Sequence, residues 1–144
     1  MDAALRGHPV IAEYLIMAGC DINIQNNFGN TALMFALFQG HISTADVIIR
    51  NGALLNIQNT NGHTALIIAS AKGITAMVEL MVGNGAEKDI KAKDGRTALD
   101  FASKSNAELQ ALLRIDINTK TTDPDPDPDP DPLPDGESTD NKEL

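Results

Sequence analysis

Nine glycines in this chain fall on one period. Gly29, Gly62 and Gly95 are spaced by 33 residues, as are Gly7, Gly40 and Gly73, and Gly19, Gly52 and Gly85. A fixed period of this size means one supersecondary unit copied along the chain, with each copy burying its apolar face against its neighbours. The residues after the first ladder repeat too. They read Gly-Asn-Thr-Ala-Leu-Met-Phe-Ala from Gly29, Gly-His-Thr-Ala-Leu-Ile-Ile-Ala from Gly62 and Gly-Arg-Thr-Ala-Leu-Asp-Phe-Ala from Gly95. Two complete copies span 26–58 and 59–91, flanked by partial copies over 1–25 and 92–114.

Each copy has a local physical reading. Asn-Phe-Gly-Asn and Thr-Asn-Gly-His are turn sequences in which Gly supplies a positive φ. Thr31, Thr64 and Thr97 then stand where a helix N-cap belongs, with hydroxyls free to accept from the first unpaired amides. A short helix follows, carrying Leu33 and Ala36, Leu66 and Ala69, and Leu99 and Ala102 at i, i+3 spacing. Gly40 and Gly73 end it as C-caps. A second helix is predicted from about Ile42 to Arg50 and from about Thr75 to Val82, with Val47, Ile48, Leu80 and Met81 facing inward.

Turn, helix, turn, helix at this period resembles the ankyrin repeat, and the resemblance covers roughly residues 1–114. The family's Gly-x-Thr-Pro-Leu-His-x-Ala line is matched with two departures. Its Pro is Ala32, Ala65 and Ala98, and its His is Met34, Ile67 and Asp100. In that family the His ties adjacent repeats by hydrogen bonds, so the resemblance implies the same fold at lower stability. The fold class expected is an all-α ankyrin-repeat solenoid of about four repeats, two complete and two partial. By register Met1 aligns with Met34, so the first repeat begins inside its first helix. Repeat four is one residue short around Ser105–Asn106, and its polar substitutions suit a capping repeat. The chain is expected either to stand as a short array or to be the terminal fragment of a larger one.

The charge divides sharply. Residues 121–144 hold nine acids and one Lys, leaving 1–120 with eleven acids against ten bases. The acidic residues belong to a tail, TDPDPDPDPDPLPDGESTDNKEL from Thr122, with almost nothing apolar to bury; residues 115–144 are predicted disordered. Asp123, Asp125 and Asp127 have the spacing of a calcium loop, but Pro128 and Pro134 stand where that loop needs Gly and Glu. Alternating Pro favours an extended spacer, splaying the carboxylates around its axis. No metal or other cofactor is expected. The nearly neutral body offers no basic stripe for nucleic acid and no apolar run near the roughly 20 residues a bilayer needs. No signal peptide is read at the N-terminus. Cys20 stands alone and forms no intramolecular disulfide. Cytoplasm is the default compartment, with nucleus or secretion as an effector left open.

No nucleophile elbow, phosphate loop or paired metal-ligand spacing occurs. His8 and His41 occupy one repeat slot that is His for structural reasons in the family, and His63 lies in a turn. The resemblance instead implies protein binding, without catalysis, through a concave face of turn tips and first helices. Carried over by position, that face comprises Gln25, Asn27, Phe28, Asn30, Phe38 and Gln39, then Gln58, Thr60, Asn61, His63 and Lys72, then Lys91, Lys93, Asp94 and Arg96. Phe28 and Phe38 are candidate anchors, with Phe38 folding onto Ala71 as the alternative. Lys91, Lys93 and Arg96 form a small basic edge, suited to an acidic partner or the chain's own tail or simply solvated. The expected partner is an unidentified protein, and the expected state is a monomer.

Overall fold

A computed structural model describes residues 1–114, and the acidic tail with its Asp-Pro run lies outside them. The described residues form eight helices: α1 (Asp2–Arg6), α2 (Pro9–Met17), α3 (Ala32–Gln39), α4 (Ile42–Arg50), α5 (Ala65–Lys72), α6 (Thr75–Gly83), α7 (Ala98–Phe101) and α8 (Ala107–Arg114). They pair as α1–α2, α3–α4, α5–α6 and α7–α8, one pair per repeat. First helices pack on first helices (α1 on α3, α3 on α5, α5 on α7), and second helices follow the same sequence from α2 to α8. The core therefore runs along the stack.

The caps explain the helix boundaries. Thr31 Oγ1 accepts from the Met34 amide at 3.4 Å and Thr64 Oγ1 from the Ile67 amide at 3.3 Å. At the other end Gly40 and Gly73 adopt left-handed φ values of 78° and 72°. The next amide then turns back to the helix, His41 N–H to the Ala36 carbonyl and Ile74 N–H to that of Ala69. Between these caps Ala36 and Ala69 are wholly buried, so neighbouring first helices approach closely. The residues replacing the family's His, Met34 and Ile67, are also buried and join the apolar core. Packing of apolar side chains thus occupies the slot that a polar tie fills elsewhere.

Two expectations need correction. In the second helices Val47 and Leu80 are only half-buried, whereas Ile48 and Ile49, and Val78, Met81 and Val82, fill the interior. Val47, Ile48 and Ile49 are consecutive apolar residues, so composition alone does not phase a nine-residue helix, and packing against the first helix does. The other concerns repeat four. Its first helix, α7, stops after Phe101, and Ala102 is already extended at φ −68°, ψ 133°. The missing residue removes the glycine that would cap a longer helix, and Ser103–Ser105 turn instead. Leu99 is left half-buried. Gln110 lies buried on α8 and donates from Nε2 to the Ala102 carbonyl at 3.0 Å, satisfying an acceptor that the short helix leaves open. Asn106 Oδ1 accepts from the Leu109 amide at 3.0 Å and so caps α8.

Candidate functional site

The turns that join one repeat to the next are built alike. In the first full repeat Asn26 N–H donates to the Asn30 carbonyl, and Asn26 Oδ1 accepts from the amides of Phe28 and Asn30 at 3.0 and 2.9 Å. Asn59 repeats this with Asn61 and His63, both at 3.0 Å. The third turn has Ala92 in that slot, and Asp94 takes over part of the task, its Oδ1 accepting from the Arg96 amide at 3.0 Å. Side-chain acceptors of this kind fix a tight turn without help from the core.

Adjacent tips are also bonded to each other. The Thr60 amide donates to the Phe28 carbonyl and the Lys93 amide to the Asn61 carbonyl, each at 3.0 Å. Gln25 Nε2 bridges its own turn, at the Gly29 carbonyl, and the next repeat, at the Gln58 carbonyl 3.1 Å away. Gln58 does the same with the carbonyls of Gly62 and Lys91. Asn59 Nδ2 reaches Asn30 Oδ1 at 2.9 Å. The tips thus form a continuous hydrogen-bonded edge. Close approach is possible because Gly29 and Gly62 carry no Cβ: one at Gly29 would sit 2.8 Å from Asn59 Cα.

These bonds sort the residues singled out from the sequence. Gln25, Gln58 and Asn30 spend polar atoms within the stack, which gives them a structural task. Asn27, Phe28, Thr60, Asn61, Lys91, Lys93, Asp94 and Arg96 are exposed along the tips. Phe28 is the most open aromatic on that edge, at 67% exposure. Gln39 and Lys72 are exposed at the far ends of α3 and α5. Phe38 is half-buried and, like Phe35, packs against the apolar core, while Ala71 remains exposed.

At the last tip the structure brings together residues that the sequence reading kept apart. Arg96 stacks its guanidinium 4.1 Å from the centroid of the Phe101 ring. His63 meets the same ring edge-on, with centroids 5.3 Å apart at 77°. Arg96 also grips Asp94, Nη2 to Oδ2 at 2.7 Å. That hydrogen bond holds the Asp94 carboxyl below the usual carboxylate range, assisted by the Arg96 backbone amide. Phe101 was not among the expected face residues. Its register signal was available, since it occupies the slot of Phe35 and Ile68 at the fourth position after the N-cap threonine.

The histidine shared between slots has a local explanation. His41 Nε2 lies 3.2 Å from the Leu5 carbonyl of the preceding repeat, with its ring over Gly7. Among the described residues no group of three or more His, Cys, Asp or Glu side chains could hold a metal ion, and no helix is long and apolar enough to cross a membrane. The face thus grades from aromatic and neutral at Phe28 to cationic at Lys91 and Lys93, on a backbone locked tip to tip. Compared with known families, the model described as ankyrin repeats (3 copies) matches residues 1–92 and 44–123. No curated protein matches the chain.

Proposed function

The chain belongs to the ankyrin-repeat family, whose repeats are generally protein–protein interaction modules, and from that premise we propose that it binds a protein partner, without catalysis, through its turn tips and first helices. One observation carries the reading: the tips are tied to one another by cross-repeat hydrogen bonds while the side chains of Asn27, Phe28, Thr60, Asn61, Lys91 and Lys93 are exposed along them. A surface ordered before it meets its partner loses little conformational entropy on binding. The side chains define the partner's chemistry. Phe28 offers an aromatic anchor at one end, and Lys91 and Lys93 offer two cations at the other. Arg96 adds a third, already held by Asp94 and Phe101. A segment with an apolar side chain near one end and carboxylates near the other fits that gradient.

The test is affinity measurement by calorimetry with each captured partner, on the full chain and its variants. An anchor that fills a partner pocket is worth about 2 kcal/mol or more, so Phe28→Ala is expected to weaken binding at least about thirtyfold. Lys91→Ala with Lys93→Ala should weaken it less and reduce its salt dependence. If Phe28→Ala and Arg96→Ala both leave every partner's affinity unchanged, the face is not the binding site.

A further inference from the structure

The third turn tip departs from the first two in charge. At three register slots the earlier tips carry no Lys or Arg: Gln25, Asn27 and Asn30, then Gln58, Thr60 and His63. The third tip has Lys91, Lys93 and Arg96 there. Fastening the stack does not call for this, since the first of these slots otherwise holds a glutamine whose amide bridges two turns. The carboxylates close by are already engaged. Asp94 grips Arg96 at 2.7 Å, and Asp100 accepts from the Thr97 amide and hydroxyl. The other two ion pairs of the described residues join Arg6 to Asp2 and Arg50 to Asp46. Lys91 and Lys93 are exposed and form no ion pair among the described residues, Lys91 acting on Asp100 only at longer range.

The chain carries its own counter-charge, and that segment leaves the stack nearby. α7 runs away from the third tip after its cap at Thr97, and α8 returns along it. Asn106, just before α8, donates from Nδ2 to Thr75 Oγ1 at 3.2 Å. One turn on, Gln110 reaches the carbonyls of Ala102 at 3.0 Å and Leu99 at 3.5 Å. Arg114, a further turn on, therefore ends on the tip side. The Asp-Pro run begins at Asp123, and residues 115–123 can span up to about 30 Å. An eight-residue helix such as α5 is only about 12 Å long, so that stretch covers the depth of a repeat more than twice.

We propose that the acidic run between Asp123 and Glu143 docks back on the cationic edge made by Lys91, Lys93 and Arg96. The charges suit each other, because residues 121–144 hold nine acids against one Lys. The first two tips offer no Lys or Arg, so the run has one destination among the tips. An extended Asp-Pro run turns carboxylates to every side of its axis, and contact therefore needs no single register. One exposed ion pair is weak and screened by salt. The tether offsets this by holding the carboxylates at an effective concentration in about the millimolar range. The contact goes beyond the partner-binding reading and stands without it. A partner that brings carboxylates to Lys91 and Lys93 must displace the run.

Zero-length carbodiimide crosslinking of the full chain, mapped by mass spectrometry, tests it, because the reagent joins only a carboxylate and an amine in contact. Among the lysines of residues 1–114, Lys91 and Lys93 are expected to carry most links to the run, ahead of Lys72 at the end of α5 and Lys104 beyond α7. The Debye length falls from about 30 Å at 0.01 M salt to about 3 Å at 1 M, so the links should drop at least about fivefold between those conditions. A mixture of isotope-labelled and unlabelled chain should show the links forming within one molecule. Amide spectra by nuclear magnetic resonance give a second measure. Asp123→Asn, Asp125→Asn, Asp127→Asn, Asp129→Asn and Asp131→Asn together remove charge without touching residues 1–114. They should move the amide signals of 91–96 and leave those of 27–30 in place. Links spread evenly over the lysines, links formed only between molecules, or signals of 91–96 indifferent to the Asn substitutions would each overturn the proposal.

Discussion

Replacing Gly62 and Gly95 by Ala separates two roles of one glycine ladder. Both residues have positive φ, 77° and 85°, so each Ala carries the left-handed penalty of about 1–2 kcal/mol. Their surroundings differ. A Cβ on Gly62 would lie 2.7 Å from the Lys93 amide nitrogen, whereas one on Gly95 meets nothing within 4 Å. Relieving the Gly62 clash means parting two backbones, since the obstructing atom is not the end of a flexible side chain. The Lys93 N–H bond to the Asn61 carbonyl, 3.0 Å long, would be lost with it. That bond contributes about 1 kcal/mol, and the overpacking costs about 1–3 kcal/mol more. Gly62→Ala should therefore exceed Gly95→Ala by about 2–4 kcal/mol. At about 4 °C per kcal/mol for a domain of this size, the gap is about 8–16 °C in Tm. Thermal melts followed at 222 nm (far-UV circular dichroism) read it directly, with urea melts as the second measure. Equal losses in the two variants would refute the reasoning, because the turn-to-turn contact would then contribute nothing beyond φ.

Three other substitutions test separate features. Thr44 is 1% exposed and its Oγ1 has no hydrogen-bond partner among the described residues, so Thr44→Val should raise stability by about 1 kcal/mol in urea unfolding. Gln110→Leu removes the donor to the Ala102 carbonyl and should cost about 1–3 kcal/mol, with hydrogen exchange accelerating in α7 and α8 before α3. Asp100 accepts from the Thr97 amide at 2.8 Å and from its hydroxyl at 3.0 Å, which holds its carboxyl below the ordinary range. Its contribution is complete above the unfolded-state value and lost as pH falls through the depressed folded value. Asp100→Asn should accordingly reduce stability at neutral pH and narrow its difference from the parent in acid, as chemical melts across that range will show.

Much of this fold was readable because its punctuation is chemical. Only glycine adopts the left-handed φ of Gly40 and Gly73 at little cost, and a threonine hydroxyl one residue before an apolar run has few other tasks, so the helix ends could be set from residue type. What failed to show was whatever depends on a neighbour in space. Val47 and Ile49 are equivalent to a reader of composition, and only the packing of α4 on α3 chooses between them. The early end of α7 depends on Gln110, eight residues beyond Ala102, being able to reach its carbonyl. The candidate face was legible by register for Phe28, Lys91 and Lys93. The convergence of His63 and Arg96 on Phe101 was not, because its members come from two different repeats.

The hydrogen-bonded edge of the tips has a consequence for how such a surface can change over generations. Its fastening uses main-chain groups, two glutamines, two asparagines and the bare glycines, and none of the side chains at 27, 28, 60, 61 or 93 takes part. Those five positions can be rewritten without disturbing the fastening, as type can be reset in a frame that stays locked. Variation in what the chain recognises is thereby separated from variation in whether it folds, and a lineage carrying this framework can explore the first without endangering the second.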